Sequence, residues 1–529
     1  MKNFYRIGIA LIIPLAAFGD APAVTAVVNG SSTIPGGLPN SGIAPSSLFQ
    51  IQGSGMATPG TVPVLQDSTQ GLPLTLNGTS VSVTVNGVTV TPALYYSSPT
   101  LVAGVLPAAT PPGTGTITVS YNGTPSASSP IQVVPSAYGF TTYSGLGVAT
   151  DALTGALITY TNSAKPGEIL VFWGTGLGSD PADSDTTYSS SPHAINTPVQ
   201  MYIGGVQVPA SSIAYSGASV YPGVDVIGVT VPQGALNGCY SPVAIVTGSG
   251  ADAVVSNVVT LPIDANGGSC TDQHSSLTGS QISAYNAQTS VTVGDLNIGV
   301  STLNGTTTGI VLATFYNIAG PDFLDSAATG IVTVGGCTTL EVAPGEANAV
   351  SANETALNAG NVSFQGPSGN IALTQAGYYY ADLTASQVPA PGQSVSFTAT
   401  GAPPLIQGPG AFTMSLTFLT PALNWTNQSA VGTITRSQGL QVTWTGGAPG
   451  SFIFISGSAS VKSATASFEC YAPVSAGQFT IPSYILMTLP AGTGSIALQD
   501  QVFQPISLPG IQYSNGVAYL TLSASTKYQ

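Results

Sequence analysis

The chain has 529 residues, with six lysines and arginines against twenty aspartates and glutamates, a formal net charge of −14, and charged residues making up only 5% of it. Nucleic acid needs a cationic surface that releases counterions from phosphate, and anionic lipid needs a polybasic patch, so neither partner class fits. Sixty-four glycines and forty prolines would suit disorder, but 43% of the residues are hydrophobic and alternate with polar ones in short runs, as strands do.

Lys2 and Arg6 precede an apolar run over residues 7–18 and then small residues, the pattern of a secretory signal peptide, assigned to residues 1–26 with cleavage ending at Gly19, Ala23 or Ala26. The run is short for a membrane span, and no other stretch of about eighteen apolar, glycine-poor residues occurs, so the mature chain is expected to be secreted or held at the cell surface without a span of its own. Residues 27–134 read as a first β-sandwich. Val81, Val83, Val85, Val88 and Val90 alternate with Ser82, Thr84 and Thr89 around Asn86-Gly87, a strong signal for a type I′ hairpin with the valines on one face. Residues 135–163 form a bridge too hydrophobic for a loose linker and are expected to pack on a neighbouring sheet.

A second sandwich occupies residues 164–263. The phrase Leu48-Phe49-Gln50-Ile51-Gln52-Gly53-Ser54-Gly55-Met56 returns there as Leu170-Val171-Phe172-Trp173-Gly174-Thr175-Gly176-Leu177. About thirty residues further on, the hairpin returns as well, with Met201 and Ile203 facing Val206 and Val208 across Gly204-Gly205. After a Gly-rich connector, residues 290–403 and 404–529 read as a third and a fourth β-sandwich, each rich in alternating strands and each taken as a unit of its own. Residues 343–357 are the one modest helical candidate. The fold class is therefore all-β, tandem β-sandwich units in a rod or bent chain, the first two immunoglobulin-like.

Five motifs arriving in order carry a resemblance: Ile43-Ala44-Pro45-Ser46-Ser47-Leu48, Val83-Thr84-Val85-Asn86-Gly87-Val88, Ser98-Pro99-Thr100, Ala164-Lys165-Pro166-Gly167-Glu168 and Gly174-Thr175-Gly176-Leu177-Gly178. In these the chain resembles a group of secreted acidobacterial proteins whose shared region is similar to IPT/TIG immunoglobulin-like domains. Leu423-Asn424-Trp425-Thr426-Asn427 and Val442-Thr443-Trp444-Thr445-Gly446-Gly447 resemble a carboxyl-terminal segment of the same group. Leu101 departs from the glutamine usual after Ser-Pro-Thr. The resemblance implies the tandem fold and brings no catalytic residue with it.

Four cysteines in a secreted chain argue for two disulfides, with three pairings formally open. Cys239 and Cys270 flank the last hairpin of the second unit, so sequence order favours that bond and leaves Cys337 with Cys470. Asp180, Asp183 and Asp185 place hard oxygen ligands in one loop, a candidate for weak Ca2+ binding set against the plainer reading of an acidic solvated loop. Trp425 with Asn424 and Asn427, and the run containing Tyr379, are candidate glycan contacts, since a ring face beside amides grips sugar; the plainer reading of the tryptophan is a core plug. Trp173 and Trp444 read as core, and His193 and His274 as solvated loop histidines. Neither histidine has a partner at triad or ligand spacing, and the G-x-S-x-G, H-E-x-x-H and P-loop patterns are missing from the sequence. The sequence thus points to a non-enzymatic structural or interaction protein, with other surface proteins, its own copies or glycans as partners, and carbohydrate binding as the competing function.

Overall fold

The computed structural model describes residues 21–60, 63–179, 184–303, 305–323, 331–344, 354–403 and 406–529. The chain is almost entirely β, built of tandem sandwich units. Of residues 1–26, read above as a signal peptide, residues 1–20 lie outside the described residues. The first strand, Ala23–Asn29, pairs antiparallel with Leu48–Ser54, so the first unit begins four residues ahead of the expected boundary. Of the three cleavage positions, only the one ending at Gly19 leaves that strand whole.

The written repeat is a repeat of topology. In the first unit one sheet carries the order Leu48–Ser54, Leu101–Val105, Ala93–Ser97, Val64–Leu65; in the second, Ile169–Thr175, Asp225–Thr230, Ile213–Ala218, His193–Ala194 stand in the same order. The hairpins match too. Asn86 and Gly87 have φ of 50° and 80°, and Gly204 and Gly205 have 56° and 76°, the paired positive values a type I′ turn demands. Val81, Val83 and Val85 are buried between the sheets, while Val88, at the turn, is 43% exposed. The bridge packs as expected: Gly139–Phe140 and Ala149–Asp151 add to the strand Ile169–Thr175, and Leu146–Gly147 adds to Val259–Ile263.

The carboxyl-terminal half departs from the expected pair of separate sandwiches. One eleven-stranded sheet runs through both, with the last strand, Tyr513–Tyr528, inserted between Gly492–Pro505 and Val291–Leu303 and parallel to the latter. Two smaller sheets cover one face of it. The four-stranded one closes a core on Leu296, Ile298 and Phe315 with Phe364 and Phe397, and the three-stranded one closes a core on Ile455, Phe468 and Leu498 with Val442 and Trp444. Phe412–Thr417, beyond the boundary drawn at 403, pairs with Ser394–Ala399 before it, so the sheets do not part there. Alternation marks a strand and its buried face, but it does not name the strand's neighbour.

The units are also folded against one another rather than strung out. Ile34 and Leu38, in a loop of the first unit, belong to the same core as Ile455 and Trp444. Tyr202 of the second unit stacks on Tyr484 at 4.2 Å. Asn29 ties the first unit to the bridge and the second unit, donating to Ala137 O at 3.0 Å and to Thr175 O at 3.4 Å while accepting from the Ser31 and Ser32 N–H groups. In the connector, Thr278 and Gln281 form a capping box that starts the helix Gly279–Asn286. The helix suggested at 343–357 lies largely outside the described residues, and its described end, Thr355–Ala356, is a strand.

Candidate functional site

The residues marked for sugar contact are mostly core. Trp425 is 5% exposed and pairs across the strand with Trp444; its Nε1 donates to Asn427 Oδ1 at 3.0 Å. Asn427 also accepts from the Thr443 N–H and donates to Gln441 O, so its amide is spent on the backbone. Only Asn424 is exposed, and it donates to Thr445 Oγ1 at 3.3 Å. Tyr379 is buried against Phe315, with its hydroxyl accepting from the Ala359 N–H. Of the two readings of Trp425, its burial fits the plainer one, a core plug: a buried indole needs a hydrogen-bond acceptor nearby, and the asparagine supplies it.

Asp180 and Asp183 lie outside the described residues. Asp185 is half-buried, accepts from the Ala108 N–H at 3.0 and 3.1 Å, and has its pKa raised by burial. It ties the second unit to the first. Among the described residues no three of His, Cys, Asp and Glu gather as a metal site. Cys239 is bonded to Cys270 and Cys337 to Cys470, the pairing that sequence order favours. Trp173 is half-buried, with Phe172 filling the core in its place. His274 is not solvated but sits 4.4 Å from the ring of Tyr471 and 5.1 Å from that of Phe452, its pKa lowered by burial.

A different site stands out where the first two units meet. On the outer face of the first unit, Leu65, Tyr96, Ala103 and Gln50 lie in one cross-strand row. The pairing of Ala93–Ser97 with Leu101–Val105 slips between Leu94 and Tyr96, leaving Tyr95 as an extra residue. Consecutive side chains in a strand normally face opposite ways, and the bulge brings both tyrosines to the same cavity. The loop after Ile213–Ala218 in the second unit supplies the facing wall through Tyr221 and Val224, enclosing about 410 Å³.

Hydrogen bonds hold wall and floor together. Tyr95 OH donates to Pro222 O at 3.0 Å, and Thr175 Oγ1 donates to Gly223 O at 2.5 Å while accepting from the Leu48 N–H at 2.8 Å. Gly223 has φ of 73°, and a Cβ there would come within 3.0 Å of Val105, so glycine lets the loop press onto the sheet. Burial raises the Tyr95 pKa, against the hydrogen bond of Ser68, which lowers it. The sequence signal for this cleft was the pair Tyr95-Tyr96, which a strict period of two assigns to opposite faces.

No protein-family model and no curated protein matches the chain. Among solved structures it is similar to a tetra-tandem repeat in the extending region of a large adhesion protein, at 12% identity over 96% of this chain and 100% of that one, with a TM-score of 0.14. It is likewise similar to the FN1-FN3 domains of chicken CNTN1, at 9% identity over 69% and 96% of the two chains and a TM-score of 0.15. A third similarity is to the Bacteroides ovatus mixed-linkage glucan utilization locus protein SGBP-B in complex with a mixed-linkage heptasaccharide, at 12% identity over 73% and 94%, with a TM-score of 0.18. At these identities and scores the likeness assigns neither ligand nor partner.

Proposed function

We propose that the protein is a non-enzymatic structural and interaction component of the cell exterior, whose sandwiches form one load-bearing body. The observation that carries this reading is the placement of the last strand. Tyr513–Tyr528 pairs with Gly492–Pro505 on one side and, over Tyr513 to Ser523, with Val293 to Leu303 on the other. Ladder hydrogen bonds run across strands, so tension along this strand loads them together instead of opening them one at a time. The Cys337–Cys470 bond joins an edge strand to the same sheet across 133 residues of chain. Secretion fits the signal segment, and a hydroxyl-rich, nearly cation-free surface fits a protein that meets other surface proteins, its own copies or glycans outside the cell.

Single-molecule stretching between the two ends of the chain tests the reading. The carboxyl-terminal half is expected to yield after the two amino-terminal units and in one step. Reduction should then add roughly 450 Å of contour length from the 133-residue loop and roughly 100 Å from the 31-residue loop, at about 3.3–3.6 Å per residue. A carboxyl-terminal half that opens first, at lower force, would overturn it.

A further inference from the structure

We infer that the cleft between the first two units is a binding site for an uncharged, ring-bearing, mostly apolar small molecule. Its floor and wall come from different sandwiches, the setting in which small-molecule sites concentrate, and its volume of about 410 Å³ falls within the roughly 300–1,000 Å³ of such sites. The two halves are pinned by Tyr95, Thr175 and Asp185, so the cavity is formed before a ligand arrives. At its mouth the fold leaves apolar surface in water with no packing role to explain it: Leu65 is 73% exposed, Tyr221 41%, and Tyr188, edge-on to Tyr221 at 5.6 Å, 44%. Contiguous exposed apolar surface of this kind marks a contact site.

The chemistry of the occupant follows from the lining. Tyrosine rings, leucines and the single carboxamide of Gln50 surround the space, and among the described residues no lysine, arginine, aspartate or glutamate lines it. With no cationic side chain in the described lining, nothing there pairs with an anion. Rings against rings gain edge-to-face contact as well as area. A saccharide would bring many hydroxyls to a cavity with few groups able to pair with them, and each unpaired one opposes binding. The repeated module supplies an internal comparison. The second unit carries its own bulge between Ile213 and Tyr215, where the extra residue is Ala214 and the Tyr215 hydroxyl lies 2.7 Å from both the His193 and Ala218 carbonyls, its one hydrogen serving either of them. The bulge belongs to the module; the tyrosine-lined cavity belongs to the first copy.

The full chain is titrated with N-phenyl-1-naphthylamine, a neutral fluorescent ring compound. Saturable enhancement at one site is expected, insensitive to salt, with the anionic 1-anilinonaphthalene-8-sulfonate binding more weakly. Leu101→Glu and the rim variant Leu65→Arg should each weaken the neutral probe by about tenfold or more. Leu65 is largely in solvent, so its variant tests the site without risking the fold, and an unchanged thermal melt confirms this. Tyr143→Ser, at another exposed aromatic, should leave binding intact. Absence of saturable binding, affinity unmoved by both cleft variants, or displacement of the probe by neutral oligosaccharides at lower concentration than by naphthol would overturn the inference. None of these outcomes bears on the stretching experiment, so the two readings fail separately.

Discussion

At Trp425 the same two residue types, tryptophan and asparagine, serve two opposite designs. A ring flanked by asparagines on an open sheet holds sugar; the same ring under a second sheet needs an asparagine to receive its N–H, and that is the arrangement found. Truncating it removes an aromatic from a closed core, so Trp425→Ala should cost about 3–5 kcal/mol in urea unfolding of the carboxyl-terminal half. Asn427→Ala leaves the indole unpaired and should cost about 1–3 kcal/mol. A loss below about 1 kcal/mol for Trp425→Ala would mean that the ring is not buried as described. Both readings were open in the sequence, with the core plug the plainer one; what it could not show was the sheet that lies opposite or the asparagine that receives the indole N–H. The same limit applies to His274, whose serine-rich sequence context suggests solvent while the fold presses it between aromatic rings.

At the level of elements, local signals were legible and distant partners were not. Alternation and turn chemistry located the paired hairpins and the strands around them, and the order of the cysteines along the chain favoured the disulfide pairing found. The parallel neighbour of Val291–Leu303 lies more than two hundred residues away, and no local pattern records it. The bulge at Tyr95 escaped for a related reason: one extra residue shifts every later side chain of the strand to the other face, and only the pairing partner reveals the shift. The two disulfides differ in the length of chain they close, 31 and 133 residues. On the chain-entropy account their removal should cost about 4 and about 5 kcal/mol. Paired Cys→Ser variants compared by denaturant unfolding check this. The Cys337→Ser/Cys470→Ser variant should be the less stable, and it should expose residues 337–342 to proteolysis, because that edge strand pairs with Ala464–Pro473 alone within the sheet.

Across the whole molecule, the scarcity of charge makes the few buried carboxyls decisive for pH. Burial pushes the pKa of Asp295, Glu341 and Glu469 up to about 7 each; at Asp295 the neighbouring charge of Glu354 adds to the effect, while Thr314 and Tyr316 oppose it. All three sit on strands of the eleven-stranded sheet. In the unfolded chain such groups lose their protons near pH 4, whereas the folded chain keeps them until about 7. Between those values unfolding releases protons, so the stabilisation is complete below about pH 4 and disappears as pH rises through 7. His274 works the other way: its depressed pKa stabilises the fold above about 6.5 and the benefit is lost as pH falls, but it is one group against three. The lowered pKa values of the exposed Asp67 and Asp151 matter only below about 4. The net charge of −14 adds self-repulsion at neutral pH that acidification relieves. The melting temperature of the carboxyl-terminal half should therefore be higher at pH 5 than at pH 8, by about 5 °C or more. Glu341→Gln, neutral at both pH values and still able to accept from the Asn40 amide, should raise the value at pH 8 and flatten the profile. A profile that rises toward pH 8, or one that Glu341→Gln leaves unchanged, would show that these carboxyls are ionised and solvated within the folded chain.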